Sequence, residues 1–243
     1  MAEKVILSAR MQAVADMVEK GNRVLDVGCD HGYVPIYLVQ QKIAPEVLAM
    51  DVNRGPLGRA GEHVRQAGLS QYITLRLSDG LTAYEPGEAD TLICAGMGGR
   101  LMQQILEREP RKTESFQEMI LQPQSELFAF RKFLRKMGYS IIWEDMILEE
   151  EKFYPVMKAV PDKKRQTEAE GEEALLDRFG PVLLARKHPV LIKYLQKEWA
   201  GKSRLKEELL ALEDSRRAGK RITELEEEIS FLKKALKMCG CER

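Results

Sequence analysis

The sequence predicts an α/β chain: a doubly wound, mostly parallel sheet with one antiparallel strand, followed by a C-terminal helical hairpin. Three observations predict it. From Met11 to about Val160, short apolar β-branched runs alternate with stretches of helical period, as successive βαβ units require. The last two of those runs have no helix between them, so they form an antiparallel pair after five parallel strands. Further on, leucine and isoleucine recur at spacings of three and four, the signature of a helix seam.

Taken in order, strands are expected at 23–27, 46–51, 73–77, 91–95, 119–122, 140–148 and 153–159. The segment 161–173, PDKKRQTEAEGEE, is charged and poor in apolar residues, so it reads as an exposed linker dividing the chain into domains 1–160 and 161–243. Within the second part, Leu205, Leu209 and Leu212 form one heptad-like run, and Ile222, Leu225, Ile229, Leu232 and Leu236 form another. The two are out of phase across 215–220, which predicts two coiled-coil-like helices folded back at Gly219, against the alternative of a single long helix with a stutter.

Composition narrows the function classes. No apolar run approaches the roughly 18–20 residues of a membrane-spanning helix, and the first ten residues carry only the short apolar run Val5-Ile6-Leu7, so a soluble cytoplasmic protein is expected, with a monomer favoured. Cys29, Cys94, Cys239 and Cys241 have neither disulfide-framework nor zinc-site spacing, and His31, His63 and His188 are scattered, so free thiols and no metal are predicted. There are 38 basic and 38 acidic residues. From Pro161 onward 19 basic face 16 acidic residues, leaving 19 against 22 before it, an asymmetry too small to indicate nucleic acid by itself.

The strongest motif is Val24-Leu25-Asp26-Val27-Gly28-Cys29-Asp30-His31-Gly32-Tyr33, an apolar strand ending in an acid and a glycine before a turn that opens a helix. Gly28 suits close approach of a nucleoside to the backbone. Asp30 stands where a dinucleotide fingerprint has its second glycine, and a carboxylate there repels a pyrophosphate, which weighs against NAD. S-adenosylmethionine carries a sulfonium and an ammonium instead, and Asp26 and Asp30 complement both. Asp51 ends the next strand, placed to accept hydrogen bonds from ribose hydroxyls. Asp79, followed by Gly80, ends the third and is suited to an adenine amino group. Gly96-Met97-Gly98-Gly99 follows the fourth strand, where three glycines would let a flat base approach the backbone; the Asp/Asn-Pro-Pro-aromatic motif common in amino-methylating enzymes of adenine does not occur there. Three acids at successive strand ends, with a closing antiparallel pair, fit a Rossmann-like class I methyltransferase sheet better than a dinucleotide-binding one.

The combination Leu7-Ser8-x-Arg10, Asp30-His31-x-Tyr33-x-Pro35, Ala95-Gly96-Met97-Gly98-Gly99, Leu121-Gln122-Pro123 and Leu148-Glu149-Glu150 resembles the bacterial tRNA (adenine-22-N1)-methyltransferases of the TrmK family over nearly the whole chain. The resemblance implies methyl transfer from S-adenosylmethionine to ring N1 of adenine 22 of tRNA. It implies cofactor contacts at Asp26, Gly28, Asp51, Asp79, Gly80, Gly96 and Met97, and substrate contacts at Arg10, His31, Tyr33, Gly98 and Gly99. Adenine N1 has its own lone pair, so catalysis needs alignment rather than a base. Asp30 is the expected catalytic carboxylate, stabilising the cationic product, against the alternative that it only caps the following helix. The target base must leave the tRNA core, Tyr33 is placed to stack on it, and hairpin cations including Lys193, Lys197, Lys202, Arg204, Lys206, Arg216, Arg217, Lys220 and Arg221 are expected phosphate contacts. A methyltransferase of another acceptor and a non-catalytic RNA-binding protein are the competing readings.

Overall fold

The structure is a computed structural model and describes residues 4–162, 172–211 and 215–241. The chain divides into two compact units, Met1–Thr167 and Glu168–Arg243.

The first unit holds β1 (Val24–Val27), β2 (Val47–Asp51), β3 (Ile73–Leu77), β4 (Thr91–Ala95), β5 (Glu118–Gln122), β6 (Tyr139–Glu149) and β7 (Lys152–Pro161). Its helices are α1 (Ala9–Asp16), α2 (Tyr33–Gln40), α3 (Arg54–Gln66), α4 (Gly99–Arg108), α5 (Pro110–Thr113) and α6 (Leu127–Lys136). The seven strands run in the order β3-β2-β1-β4-β5-β7-β6. The first five are parallel, and β7 enters antiparallel between β5 and β6. β6 and β7 are each longer than the sequence predicts, because a hairpin extends its ladder to both ends, here with a register shift between Ile141 and Trp143.

Near-continuous apolar runs fit strands covered on both faces. Val47, Ala49, Ile93 and Ile120 pack on the side of α1, α2 and α3, while Leu48, Met50, Leu92, Cys94, Met119 and Leu121 pack on the side of α4 and α6. Strand order reverses between β1 and β4, and the carboxyl ends of all five parallel strands open on the same edge. Sheets of this kind bind ligands at that crevice.

Two polar clusters are buried inside this apolar frame. Glu118, at the start of β5, accepts from Thr91 Oγ1 (2.8 Å), the Glu19 amide (2.9 Å) and Lys158 Nζ (2.6 Å), closing the edge opposite the crevice. Arg131 on α6 and Glu144 on β6 pair at 2.9 Å with both side chains essentially out of solvent.

The second unit contains α7 (Glu172–Phe179), α8 (Pro181–Ala185), α9 (Pro189–Leu210) and α10 (Ser215–Met238). The last two pair antiparallel, with Lys202 on Glu228 at 2.6 Å and Lys206 on Glu226 at 2.7 Å. Three expectations are corrected here. Gly219 lies inside α10, not at the reversal, because α9 ends at Leu210 and the next helix begins at Ser215. Leu205 is exposed, and α9 instead buries Leu191 and Leu195; Leu212 lies outside the described residues. On α10 the buried line runs Leu225, Leu232 and Ala235 and continues at Cys239 just past its end, leaving Leu236 half-buried, since this heptad line takes the position three residues after Leu232 where the apolar repeat takes the fourth. The expected linker is also shorter at both ends, with Pro161 closing β7 and Glu172 opening α7; 163–171 lie outside the described residues.

No described helix is long and apolar enough to cross a membrane. Among the described residues no cluster of three His, Cys, Asp or Glu could hold a metal.

Removing one partner of the Arg131–Glu144 pair takes away the opposite charge held 2.9 Å from a buried one. Glu144→Ala is expected to lower the unfolding free energy by about 3–5 kcal/mol, read from denaturant melts; a change within error would show that the pair does not secure α6 on the sheet.

Candidate active site

The crevice is assembled from the loops that leave four neighbouring strands. After β1 the chain turns at Gly28, whose φ of +78° is open to glycine at little cost. The amides of Gly28 and Cys29 both donate to the Met50 carbonyl, at 2.8 and 3.0 Å, which fixes this loop to β2. A side chain at Gly28 would overlap the Met97 Cε methyl, so the loops after β1 and β4 meet there. Asp30 follows with φ +47°, and α2 begins after Gly32, whose φ is +76°.

Asp51 ties three loops together. Its carboxylate accepts from the amides of Asp30 (3.3 Å) and Asn53 (2.8 Å), and its carbonyl accepts from the Ser78 amide (3.0 Å). Asp26 lies buried on the adjacent strand, and among the described residues nothing donates to its carboxylate. Burial, reinforced by the Asp51 charge, pushes its pKa up to about 7. The Cys29 and Cys94 thiols nearby are pushed up, chiefly by burial and secondarily by Asp26, and so are not poised as thiolate nucleophiles.

Asp79 stands beyond the end of β3 as expected, but its carboxylate is exposed and held by Arg108 Nη1 at 2.6 Å. Gly80, with φ +56°, packs against Ile105, and its carbonyl accepts from Ser78 Oγ at 2.8 Å.

The acceptor side is built from β4 and β5. The Gly96 amide donates to both the carbonyl (3.1 Å) and the side-chain Oε1 (2.9 Å) of buried Gln122. The Met97 carbonyl accepts from the Gln124 amide at 2.9 Å. Gly98 and Gly99 are not an open shelf for a base: a side chain at Gly98 would press on Ser125 Oγ, and one at Gly99 on the Ser125 carbonyl. Those glycines allow the loop after β5 to close on the start of α4. Gly96 differs, since the nearest groups to its α-carbon substituent position are polar, Arg10 Nη1 and Gln124 Nε2, both at 3.9 Å.

Arg10, on α1, reaches this turn between Glu149 and Tyr154. Its Nε lies 3.7 Å from Glu149 Oε2 and its guanidinium 4.9 Å from the Tyr154 ring centre. The Asp30 side chain is 69% exposed and 3.6 Å from His31 Nε2. It does not cap α2: the cap position belongs to Gly32, and no side chain bonds there. His31 and Tyr33 stand beside Asp30 at the mouth, together with His63 from α3. The sequence motifs name neither His63 nor Tyr154 and give Gln122 no role; each acts through contacts across the fold, and no local pattern marks them.

Comparison with known proteins agrees with this geometry. Residues 7–157 match the methyltransferase domain family. The chain is 31% identical to a Bacillus subtilis tRNA (adenine(22)-N(1))-methyltransferase over 95% of its own length and 97% of that protein's. The crystal structure of the B. subtilis m1A22 tRNA methyltransferase TrmK superposes with a TM-score of 0.84 at 30% identity, covering 96% of this chain and 100% of that one. A Streptococcus pneumoniae protein solved in complex with S-adenosyl-L-methionine superposes with a TM-score of 0.81 at 32% identity, over 95% of this chain and 100% of that one. Both the crevice and the appended helices fall within these matches, and the chain belongs to the bacterial tRNA (adenine(22)-N(1))-methyltransferase family.

Proposed function

We propose that the chain methylates ring N1 of adenine 22 in tRNA, with S-adenosylmethionine as the methyl donor. The observation that carries this reading is the row of acids at adjacent strand ends, with Asp26 buried and without a donor beside Asp51. Such a pair suits a ligand bearing an ammonium and a sulfonium and opposes one bearing a pyrophosphate. Gly28, Gly80, Gly96 and Met97 line the cofactor's path, Asp51 takes its ribose hydroxyls, and Asp79 releases Arg108 to meet its adenine. The cofactor supplies an electrophilic methyl group.

The rest is positioning. The acceptor adenine lies against the Gly96–Met97 turn with its N1 lone pair in line with the methyl group. Arg10 borders that turn, and Asp30, at the mouth, stabilises positive charge as it develops on the base. Residues 1–160 act as the catalytic domain and 161–243 as an appended helical domain, in a cytoplasmic monomer. Lys202 and Lys206 hold carboxylates of the facing helix, which favours a role in zipping the helices over phosphate contact, while Arg204 and Arg221 pair within their own helices; the side chains of Arg216 and Arg217 lie outside the described residues.

Radiolabelled methyl transfer to unmodified tRNA transcripts tests the reaction. Label is expected with adenine at position 22, recovered as 1-methyladenosine, and none with guanine there; label on neither transcript despite tight cofactor binding would assign another acceptor.

Asp30→Asn is expected to lower kcat by about tenfold or more while leaving cofactor affinity intact. Full activity in a folded Asp30→Asn protein would remove the charge-stabilising role.

Asp26 sets a pH dependence with a definite sign. Between its ordinary value of 3.8 and about 7, the folded chain holds a proton that the unfolded chain has released. Stability of the ligand-free protein therefore falls as pH rises through that window. A cationic ligand favours the ionised form, so its affinity rises with pH through about 7. Calorimetric titration of S-adenosylhomocysteine, which keeps the ammonium, from acid to neutral pH should show that rise in the wild type and a flat profile in Asp26→Asn.

A further inference from the structure

We propose that His31, Tyr33 and His63 form a stacking platform for a nucleobase flanking the methyl-accepting one, and that His63 is the residue that positions it. The proposal rests on the RNA-methylation reading above. The three rings are nearly parallel and in mutual contact: Tyr33 and His63 are 4.9 Å apart at 20°, His31 and His63 5.9 Å at 27°, and His31 and Tyr33 6.0 Å at 18°. These separations lie in the range of favourable aromatic pairing.

The arrangement is assembled across the fold. His31 and Tyr33 flank the loop after β1, whereas His63 comes from α3, which follows β2. Gly32 makes the meeting possible: at φ +76° it lies so close to α3 that a side chain would sit 3.0 Å from Ala60 Cβ. His63 Nδ1 is 2.9 Å from the His31 carbonyl oxygen, so the nitrogen must carry the hydrogen and donate it. That bond adds to the ring packing that holds the imidazole against Tyr33.

The exposed part of the platform is Tyr33, at 47%. A flat ligand extends a group of near-parallel rings, and base stacking on aromatic side chains is sequence-tolerant and sensitive to ring removal. The Asp30 carboxylate, 3.6 Å from His31, disfavours a phosphate at the same spot. The rings belong to the α2–α3 face, beside the loops after β1 and β2, while the acceptor must face the Gly96–Met97 turn after β4. The base on the platform is therefore a neighbour of the target, held apart as the strand is splayed.

The test is steady-state methylation by wild type, His63→Ala and His63→Phe of intact transcripts and of transcripts lacking the base on either side of the acceptor, with S-adenosylhomocysteine affinity measured in parallel. His63→Ala is expected to raise KM for tRNA about five- to tenfold, with kcat changing less than KM and S-adenosylhomocysteine affinity preserved. His63→Phe, which keeps the ring and drops the hydrogen bond, recovers most of the loss. One of the two abasic transcripts reproduces the KM increase in wild type, and His63→Ala adds nothing to it. A His63→Phe protein as poor as His63→Ala, a parallel loss of S-adenosylhomocysteine affinity, or abasic transcripts that behave like the intact one overturns the platform alone. A wild type that methylates no transcript overturns the RNA-methylation reading and the platform with it.

Discussion

The crevice depends on the end of β2. The Met50 carbonyl takes two amides of the loop after β1, and Asp51 takes one amide from that loop, one from its own, and one from the loop after β3. Three loops with no regular structure are thus held by one strand end whose own position is fixed by ladders on both sides. Parallel sheets bring strand ends to a common edge, but they do not fix the loops that follow. Here that second task is performed by two residues, one of which is also the acid expected to face the cofactor ribose.

This economy has an electrostatic consequence. Asp51 satisfies its carboxylate with backbone amides and remains close enough to Asp26 to raise its pKa. Among the described residues none donates to Asp26, and a buried carboxylate without donors resists ionisation. The Asp26 carboxyl therefore keeps its proton to a higher pH than an exposed carboxyl does. Affinity for a cationic ligand and stability of the ligand-free fold respond to pH in opposite directions through that one group.

The acceptor side obeys a different constraint, that of close packing between loops. Gly99 is needed because the Ser125 carbonyl approaches it, the Ser125 hydroxyl crowds Gly98, and Gly96 is held by both acceptors of Gln122. Gly96 is left without such crowding, with Arg10 and Gln124 beside it. In the second unit the long helices are joined by cross-helix ion pairs flanking a narrow apolar seam, so Lys202 and Lys206 are already paired with carboxylates. Exposed pairs of this kind contribute little individually, and the buried leucines carry the association.

The sequence by itself determined the sheet, the order of its strands along the chain and the acids at their ends. Buried parallel strands need near-continuous apolar runs, and Asp26 and Asp51 each break one near its carboxyl end, while Asp79 follows the alternating edge strand β3. The reversed last strand was legible because 140–148 and 153–159 leave no room for a helix between them. What only the tertiary structure decided are the relations between residues far apart in the chain. Asp30 is freed from capping because Gly32 occupies that position, Asp79 is engaged by Arg108, and Gly99 serves packing because Ser125 is its neighbour. The heptad pattern foresaw two helices but misplaced their reversal at Gly219, since a glycine is tolerated within a helix and periodicity does not record where a chain turns back. His63 meets Tyr33 only when two crossover helices are laid side by side on the sheet, and spacing along a sequence carries no record of that distance.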